Sequence, residues 1–210
     1  LLVALWLAAF SNIALWRMLG RLGQLQRPAD YAFAGGFLLL IAAILVLFGA
    51  ALAWRKTIKP VLTVLLLVAA VASYYMLTYS IVIDPTMLVN VLQTDPAEAR
   101  DLLTVKLLLY VLVLALLPAV WLWRQPLHPH TTALKQLGQN ALAILGAGVL
   151  VVALLLAIFQ PFASLMRNHT QVRYLINPLS SLWSLGVAVA QPLAQQIGRA
   201  SCRERVWIPV

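Results

Sequence analysis

The loop at residues 84–104 carries polar side chains at a spacing that suits a lipid headgroup. Asn90, Thr94 and Glu98 lie at positions i, i+4 and i+8, which one face of a helix would present together. Pro96 interrupts such a helix, but the three side chains can still converge across the junction. A carboxylate binds an ammonium group, and an amide with a hydroxyl binds phosphate oxygens. The set therefore matches a headgroup that combines ammonium with phosphate.

Helix capping accounts for the same residues without any ligand. Asp84-Pro85 and Asp95-Pro96 are each typical of an N-cap followed by proline at the first helical position. Glu98 stands three residues after Asp95, as in a capping box. We therefore predict two short helices in this loop, and the spacing alone favours capping over binding.

The histidines offer weaker candidates for chemistry. His128 and His130 have no acid or cysteine close in sequence, so a solvated loop is favoured over a metal site. His169 stands between Arg167 and Arg173, where it could help to bind phosphate, but long basic side chains reaching toward headgroups explain this cluster as well. The sequence contains no glycine-rich phosphate loop, no HExxH motif and no Ser-His-Asp order.

The elements that must position these residues are long apolar segments. Of the 210 residues, 63% are hydrophobic and 10% are charged, whereas soluble domains carry about 25% charged residues. A helix needs about 20 apolar residues to cross a bilayer. We predict an all-α membrane protein whose transmembrane domain, residues 1–160, has five transmembrane helices. The predicted spans are 1–16, 31–53, 61–83, 107–123 and 141–159, with a kink at Pro118.

The charges of the loops predict the orientation. Loops 54–60 and 124–140 carry basic residues without acids, which places them in the cytoplasm, and the acidic loop 84–104 then lies outside. The chain leaves the fifth span on the outer, periplasmic side. Residues 17–30 carry three arginines on that same side, which conflicts with the positive-inside rule. The formal net charge of +9 suits anchoring beside lipid headgroups better than nucleic-acid binding.

The composition changes after the fifth span. We predict a periplasmic linker at residues 161–196, in which Asn177 caps an interfacial helix and Pro178 takes its first position. Residues 197–210 begin IGRASCRERV, contain the only cysteine, and are interpreted as a translated sequencing adapter to be excluded from fold reasoning.

Two stretches resemble a known family. The sequences YYMLTYSIVIDPTMLVNVLQTDPAEARDLL (74–103) and RNHTQVRYLINPL (167–179) resemble those of the bacterial lipid A phosphoethanolamine transferases, which include the mobile colistin-resistance enzymes. The resemblance implies five spans in the inner membrane, a linker and a large periplasmic catalytic domain. It further implies that the catalytic domain is absent from residues 1–210.

The resemblance also implies a reaction. Phosphoethanolamine would pass from phosphatidylethanolamine to lipid A through a threonine activated by zinc, giving resistance to polymyxin and other cationic peptides. The threonine and the zinc ligands belong to the absent domain, so no catalytic or metal-binding residue is assigned here and this chain alone is predicted to be inactive. With the resemblance, Asn90, Thr94 and Glu98 become predicted substrate-binding residues.

Three alternatives stay open at this point. A transporter would show polar or broken helices at mid-membrane, and a scaffold would show seams of small residues. The apolar segments show neither feature clearly. The third alternative is a related transferase with another glycan acceptor, which a membrane domain separates poorly from the first interpretation.

Overall fold

The computed structural model describes residues 1–23, 27–52, 57–93, 103–126 and 133–190. Within these ranges every regular element is a helix, which confirms the predicted all-α fold class. Several predictions concern positions outside the described residues. They are those for Thr94, Asp95, Glu98, His128, His130 and residues 197–210.

Nine α-helices follow one another along the described chain. They are α1 (Leu2–Phe10), α2 (Ile13–Arg21), α3 (Pro28–Ala51), α4 (Ile58–Thr78), α5 (Pro85–Gln93), α6 (Val105–Arg124), α7 (Ala133–Ala157), α8 (Phe159–Asn168) and α9 (Leu179–Ala190). A short 3-10 helix, Thr170–Leu175, connects α8 to the segment before α9.

Four of these helices, among the described residues, are long and apolar enough to cross a membrane: α3, α4, α6 and α7. The pair α1 and α2 passes the same test as one bent span, which would bring the number to five. The outward surface of α7 is strongly apolar, since Leu142, Val149 and Leu156 are each at least 70% exposed. Such a surface requires lipid rather than water around it.

The helices form a bundle in which α3 packs along α7 and α1, while α4 packs against α2 and α6. The core between them is filled by residues such as Leu7, Phe37, Ile41 and Leu66. Gly36 permits a close approach of α3 to the break between α7 and α8. A Cβ atom added there would lie 2.9 Å from Cγ2 of Ile158.

The first predicted span differs from the observed structure, because it is two helices. The chain turns by 46° between α1 and α2, at Ser11 and Asn12. Both residues are buried, and Asn12 pairs reciprocally with the backbone of Asn177. The Asn12 Nδ2 donates to the Asn177 carbonyl at 2.8 Å, and the Asn177 N–H donates to the Asn12 Oδ1 at 2.8 Å. The side-chain amide of Asn12 therefore finds its partners in a residue 165 positions away.

The side chain of Asn177 completes this junction. Its Nδ2 donates to the carbonyl of Ala69 on α4 at 2.7 Å and to that of Ser11 at 3.3 Å, and its Oδ1 accepts from the Ser181 hydroxyl at 3.3 Å. The predicted N-cap role is therefore wrong, because α9 begins at Leu179 and the amide is used for tertiary contacts. The Asn12–Asn177 junction joins the linker to the middle of the bundle.

Pro118 interrupts α6, as predicted from the sequence. A proline has no N–H and its ring crowds the carbonyl four residues earlier, which here belongs to Leu114. The helix widens into a π-turn over Leu112–Leu116, and the indole Nε1 of Trp6 donates to the Leu114 carbonyl at 3.2 Å. A side chain of α1 thus replaces the missing backbone donor.

Candidate lipid-binding site

The first helix of the predicted outer loop is present, with the predicted cap. Asp84 precedes α5, and its Oδ1 accepts from the Met87 N–H at 2.7 Å and from the Thr86 hydroxyl at 2.8 Å. The hydrogen bond from the Met87 N–H, followed by that from Thr86, lowers the pKa of the Asp84 carboxyl. This bonding confirms Asp84 as the N-cap of α5.

An apolar groove of about 610 Å³ lies where α4, α5 and α9 meet. Residues of α4, α5 and α9 line it together with the segment before α5, and they include Tyr75, Tyr79, Met87, Val91 and Leu185. The Ser181 side chain adds a hydroxyl to a wall that is otherwise almost wholly hydrophobic. Grooves of this size and polarity hold apolar groups such as the acyl chains of amphiphilic lipids.

The helix α9 fixes one wall of this groove. Ser184 is fully buried and its hydroxyl donates to the Ile83 carbonyl at 3.0 Å, which holds the segment just before α5 against α9. The linker predicted to lie along the surface therefore also builds the site. No sequence pattern pointed to Ser184, because a lone serine in an apolar helix has no distinctive spacing.

Asn90 is the predicted binding residue that the structure describes. It lies exposed on α5, three residues after Met87 and one before Val91, both of which line the apolar groove. The structure thus places the Asn90 amide on the helix that covers the groove. The convergence of Asn90 with Thr94 and Glu98 remains a prediction, because those two residues lie outside the described ranges.

Tyr74 forms a hydrogen bond with Thr104, just before α6. The sequence suggests an aromatic belt of tyrosines at the end of α4, but Tyr74 is only 3% exposed and differs from Tyr79, which is 45% exposed. The hydroxyls of Tyr74 and Thr104 lie 2.6 Å apart, and Thr104 also caps α6 by accepting from the Leu107 N–H at 3.3 Å. The start of α6 is therefore attached to the end of α4.

A second, more polar cavity of about 340 Å³ lies on the other side of the segment that follows α4. Arg17 and Arg21 of α2 line it, together with Ser80 and Gln171. Ser80 adopts a positive φ of 53°, which is uncommon for a residue with a side chain. In the sequence these arginines stand out as a conflict with the positive-inside rule, and their i, i+4 spacing is the signal that places them on one face of a helix.

The described residues do not fit a zinc site. No group of three or more histidine, cysteine, aspartate or glutamate side chains comes together within the described ranges. His169 is half-buried and its backbone carbonyl accepts from the Val172 N–H at 3.0 Å. No step of chemistry through zinc is therefore derived from these residues.

Comparison with known proteins identifies the family. Residues 40–193 match the family model described as phosphoethanolamine transferase EptA/EptB. The chain belongs to this family. It is 35% identical over 195 residues to the phosphatidylethanolamine transferase Mcr-2 of Escherichia coli. This alignment covers 88% of this chain and 34% of Mcr-2.

Two further comparisons find a more distant relative in sequence and a match in fold. The Kdo(2)-lipid A phosphoethanolamine 7''-transferase of Salmonella typhimurium is 26% identical over 160 residues, covering 72% of this chain and 27% of that protein. The solved structure of the integral membrane protein lipooligosaccharide phosphoethanolamine transferase A (EptA) from Neisseria meningitidis matches with a TM-score of 0.79 at 20% identity. That match covers 99% of this chain and 37% of the other, and it shows the same fold.

The family and the apolar helices together make this an integral membrane protein. The chain spans about a third of the length of Mcr-2 and Mcr-1 of Escherichia coli. Residues 40–193, which match the family model, include the apolar groove, α5 and the described part of the linker. They also include Asn177, the linker residue of the Asn12–Asn177 junction.

Proposed function

We propose that this chain is the membrane domain of an enzyme that transfers phosphoethanolamine from phosphatidylethanolamine to lipid A. In this proposal the enzyme lies in the bacterial inner membrane, and the end of the bundle that carries α5 faces the periplasm. The observation that carries the proposal is the apolar groove lined by an amphipathic, acid-capped helix, in a member of a phosphoethanolamine transferase family.

The chemistry of the groove suits a phospholipid donor. Its apolar wall would accept acyl chains, and α5, which lines the groove, carries the exposed Asn90. Asn90 and Thr94 would bind phosphate oxygens, while Glu98 would bind the ammonium group. The domain would thus hold the donor at the membrane surface, with its headgroup free to react.

The transfer itself belongs to another part of the protein in this proposal. Zinc and the nucleophilic threonine would be supplied by a periplasmic domain, and the described residues contribute only binding and orientation. We therefore expect the 210-residue chain to bind phosphatidylethanolamine without transferring phosphoethanolamine. A zinc-dependent product made by the purified chain would contradict this division of roles.

The proposal is tested in the full-length enzyme with three single variants: Asn90→Ala, Thr94→Ala and Glu98→Ala. Each is expected to lower transfer to lipid A about tenfold or more, since a charged or bidentate contact to a headgroup contributes about 1.5–3 kcal/mol. Transfer is measured by mass spectrometry of lipid A, and resistance by growth in polymyxin. Immunoblotting checks that expression is unchanged.

Asn168→Ala is the matched control, because Asn168 is an exposed amide on α8 that lies outside the groove. It is expected to keep full activity. If the three loop variants protect cells as well as the unaltered enzyme does, these residues only cap helices, and the donor site must lie elsewhere.

A related acceptor is the second candidate, because one relative is named a Kdo(2)-lipid A transferase. Supplying the full-length enzyme with lipid A and Kdo(2)-lipid A in equal amounts decides between them. Modification of a lipid A phosphate supports the first candidate, and modification of the Kdo sugar supports the second.

A further inference from the structure

We propose that the cavity beside α2 is a binding site for the phosphate group of an anionic lipid, held by Arg17 and Arg21. This site is separate from the apolar groove, and it does not depend on the transfer reaction. Ile81 borders both spaces, so the segment between α4 and α5 forms a wall between them.

Four polar side chains line the cavity, and all of them can donate hydrogen bonds. Arg17 and Arg21 stand one helical turn apart on α2, Ser80 lies in the segment after α4, and Gln171 comes from the 3-10 helix. Guanidinium groups bind phosphate oxygens in pairs of parallel hydrogen bonds, which makes them the preferred phosphate ligands. The set offers two positive charges, a hydroxyl and an amide to one ligand.

The positive charges are not neutralised within the described part of the protein. The side chains of Arg17 and Arg21 have no carboxylate or other hydrogen-bonding partner among the described residues, and neither do the side chains of Ser80 and Gln171. Like charges at i, i+4 destabilise a helix by a few tenths of a kcal/mol. Arg21 lies in the last turn of α2, where the helix dipole favours it, but Arg17 lies further back and has no such compensation.

The position of the two arginines in the bundle adds a second argument. They lie at the same end as α5, because Ser80 and Val82 line the same cavity. The opposite end has its own basic residue, Lys59, whose Nζ donates to the carbonyls of Trp123 and Gln125 at the end of α6. Arginines at the α5 end therefore run against the positive-inside rule in the proposed orientation, and an anionic ligand gives them a role.

The wall of the cavity indicates that the phosphate is carried by a lipid. Most of its surface is apolar and comes from residues such as Met18, Leu22, Met76 and Leu77, at the ends of membrane helices. A free phosphate ion would gain nothing from these side chains, whereas the glycerol or sugar part of a lipid headgroup would cover them. Ser80 adds a backbone in the left-handed region, a conformation that is found more often at functional sites than elsewhere.

Native mass spectrometry of the detergent-purified protein tests the proposal with four separate ligands: lipid A, phosphatidylglycerol, phosphatidylethanolamine and inorganic phosphate. Lipid A and phosphatidylglycerol are expected to bind more tightly than inorganic phosphate. The double variant Arg17→Gln/Arg21→Gln is expected to lose about tenfold or more in affinity for both anionic lipids, since each charge-assisted hydrogen bond is strong. Binding of zwitterionic phosphatidylethanolamine is expected to be unchanged.

Two further variants separate binding in the cavity from general charge attraction. Arg167→Gln removes an exposed arginine on α8 that does not line the cavity, and it is expected to leave all four affinities unchanged. Arg17→Lys/Arg21→Lys keeps both charges but loses the paired geometry, and it is expected to bind anionic lipids with intermediate affinity. The thermal unfolding temperature of every variant confirms that it is folded.

Three results would overturn the proposal. Equal anionic-lipid binding by the double glutamine variant would remove the arginines from the site. An equal loss in Arg167→Gln would show diffuse surface attraction instead of a built cavity. Inorganic phosphate binding as tightly as the lipids would show that no lipid is recognised.

Discussion

Two interrupted helices in this bundle satisfy their backbone in different ways. The break between α1 and α2 is closed by the fully buried side chain of Asn12, which exchanges hydrogen bonds at 2.8 Å with the backbone N–H and carbonyl of Asn177. The break in α6 follows from Pro118 and is closed by a single indole N–H from Trp6. The first uses several mutually dependent bonds between distant parts of the chain, and the second adds one donor to one orphan carbonyl.

The difference shows where a membrane bundle is sensitive to substitution. In an apolar surrounding an unsatisfied polar group has no water to replace its partner. Removing one member of the Asn12–Asn177 junction leaves several such groups, whereas removing the indole leaves one. We therefore expect the Asn12–Asn177 junction to contribute most to stability, the indole bond less, and the partly exposed cap of α5 less again.

The largest effect is expected for Asn12→Ala. It leaves the N–H and the carbonyl of Asn177 without their partners, which is expected to lower the free energy of unfolding by about 2–4 kcal/mol. SDS titration of the protein in detergent micelles measures this change. Asn168→Ala is the control, an exposed amide on α8 whose removal is expected to change stability by about 0.5 kcal/mol or less. Equal stability of the two variants would mean that the junction contributes nothing.

A smaller effect is expected for Trp6→Phe. Phenylalanine keeps an aromatic ring beside Phe10 but cannot donate to the Leu114 carbonyl, so the expected loss is about 1–2 kcal/mol. The same SDS titration applies. Trp183→Phe changes a tryptophan that is 70% exposed, and it is expected to have little effect. A loss as large as that of Asn12→Ala would contradict the ranking.

The partly exposed cap of α5 is expected to contribute about 1 kcal/mol, measured as the loss in Asp84→Ala. Because folding lowers the pKa of Asp84, its stabilisation is fully present above the unfolded pKa, about pH 4, and is lost as the pH falls through the folded value. Unfolding measured between pH 7 and pH 3 checks the sign. Asp84→Asn keeps a capping oxygen and should remove most of the pH dependence that Asp84 causes.

The smallest effect is expected for Pro118→Ala. Alanine restores the N–H that the Leu114 carbonyl lacks, so stability is expected to change by about 1 kcal/mol or less. In this background Trp6→Phe should cost less than it does alone, because the carbonyl then has a backbone donor. A double-mutant cycle measures this coupling. Additive effects would show that the indole bond does not compensate for the proline.

These breaks also show how far the sequence could predict the structure. The interruption at Pro118 can be predicted because proline removes a backbone N–H from a helix wherever it stands. The cap at Asp84 can be predicted because aspartate before proline is a local N-cap pattern. The long apolar runs predict α3, α4, α6 and α7 for the same reason. The bend at Ser11 and Asn12 has no local signal, because its cause is a residue 165 positions later.

The candidate site was predictable to a similar extent. Its helix α5 and its exposed Asn90 follow from the loop sequence, but the groove needs the packing of α9 on α4, which no spacing encodes. Asn177 appeared to be a cap because asparagine before proline often is one. Its burial against Ala69 overrides that local preference, since two tertiary acceptors, the carbonyls of Ala69 and Ser11, take the side-chain N–H groups.

The contact between Tyr74 and Thr104 has a consequence for chain entropy. It holds two residues that are 30 positions apart in sequence within hydrogen-bonding distance. Because the entropic cost of closing a loop rises only slowly with its length, this closure would tolerate insertions in the chain between α5 and α6 with little loss of stability.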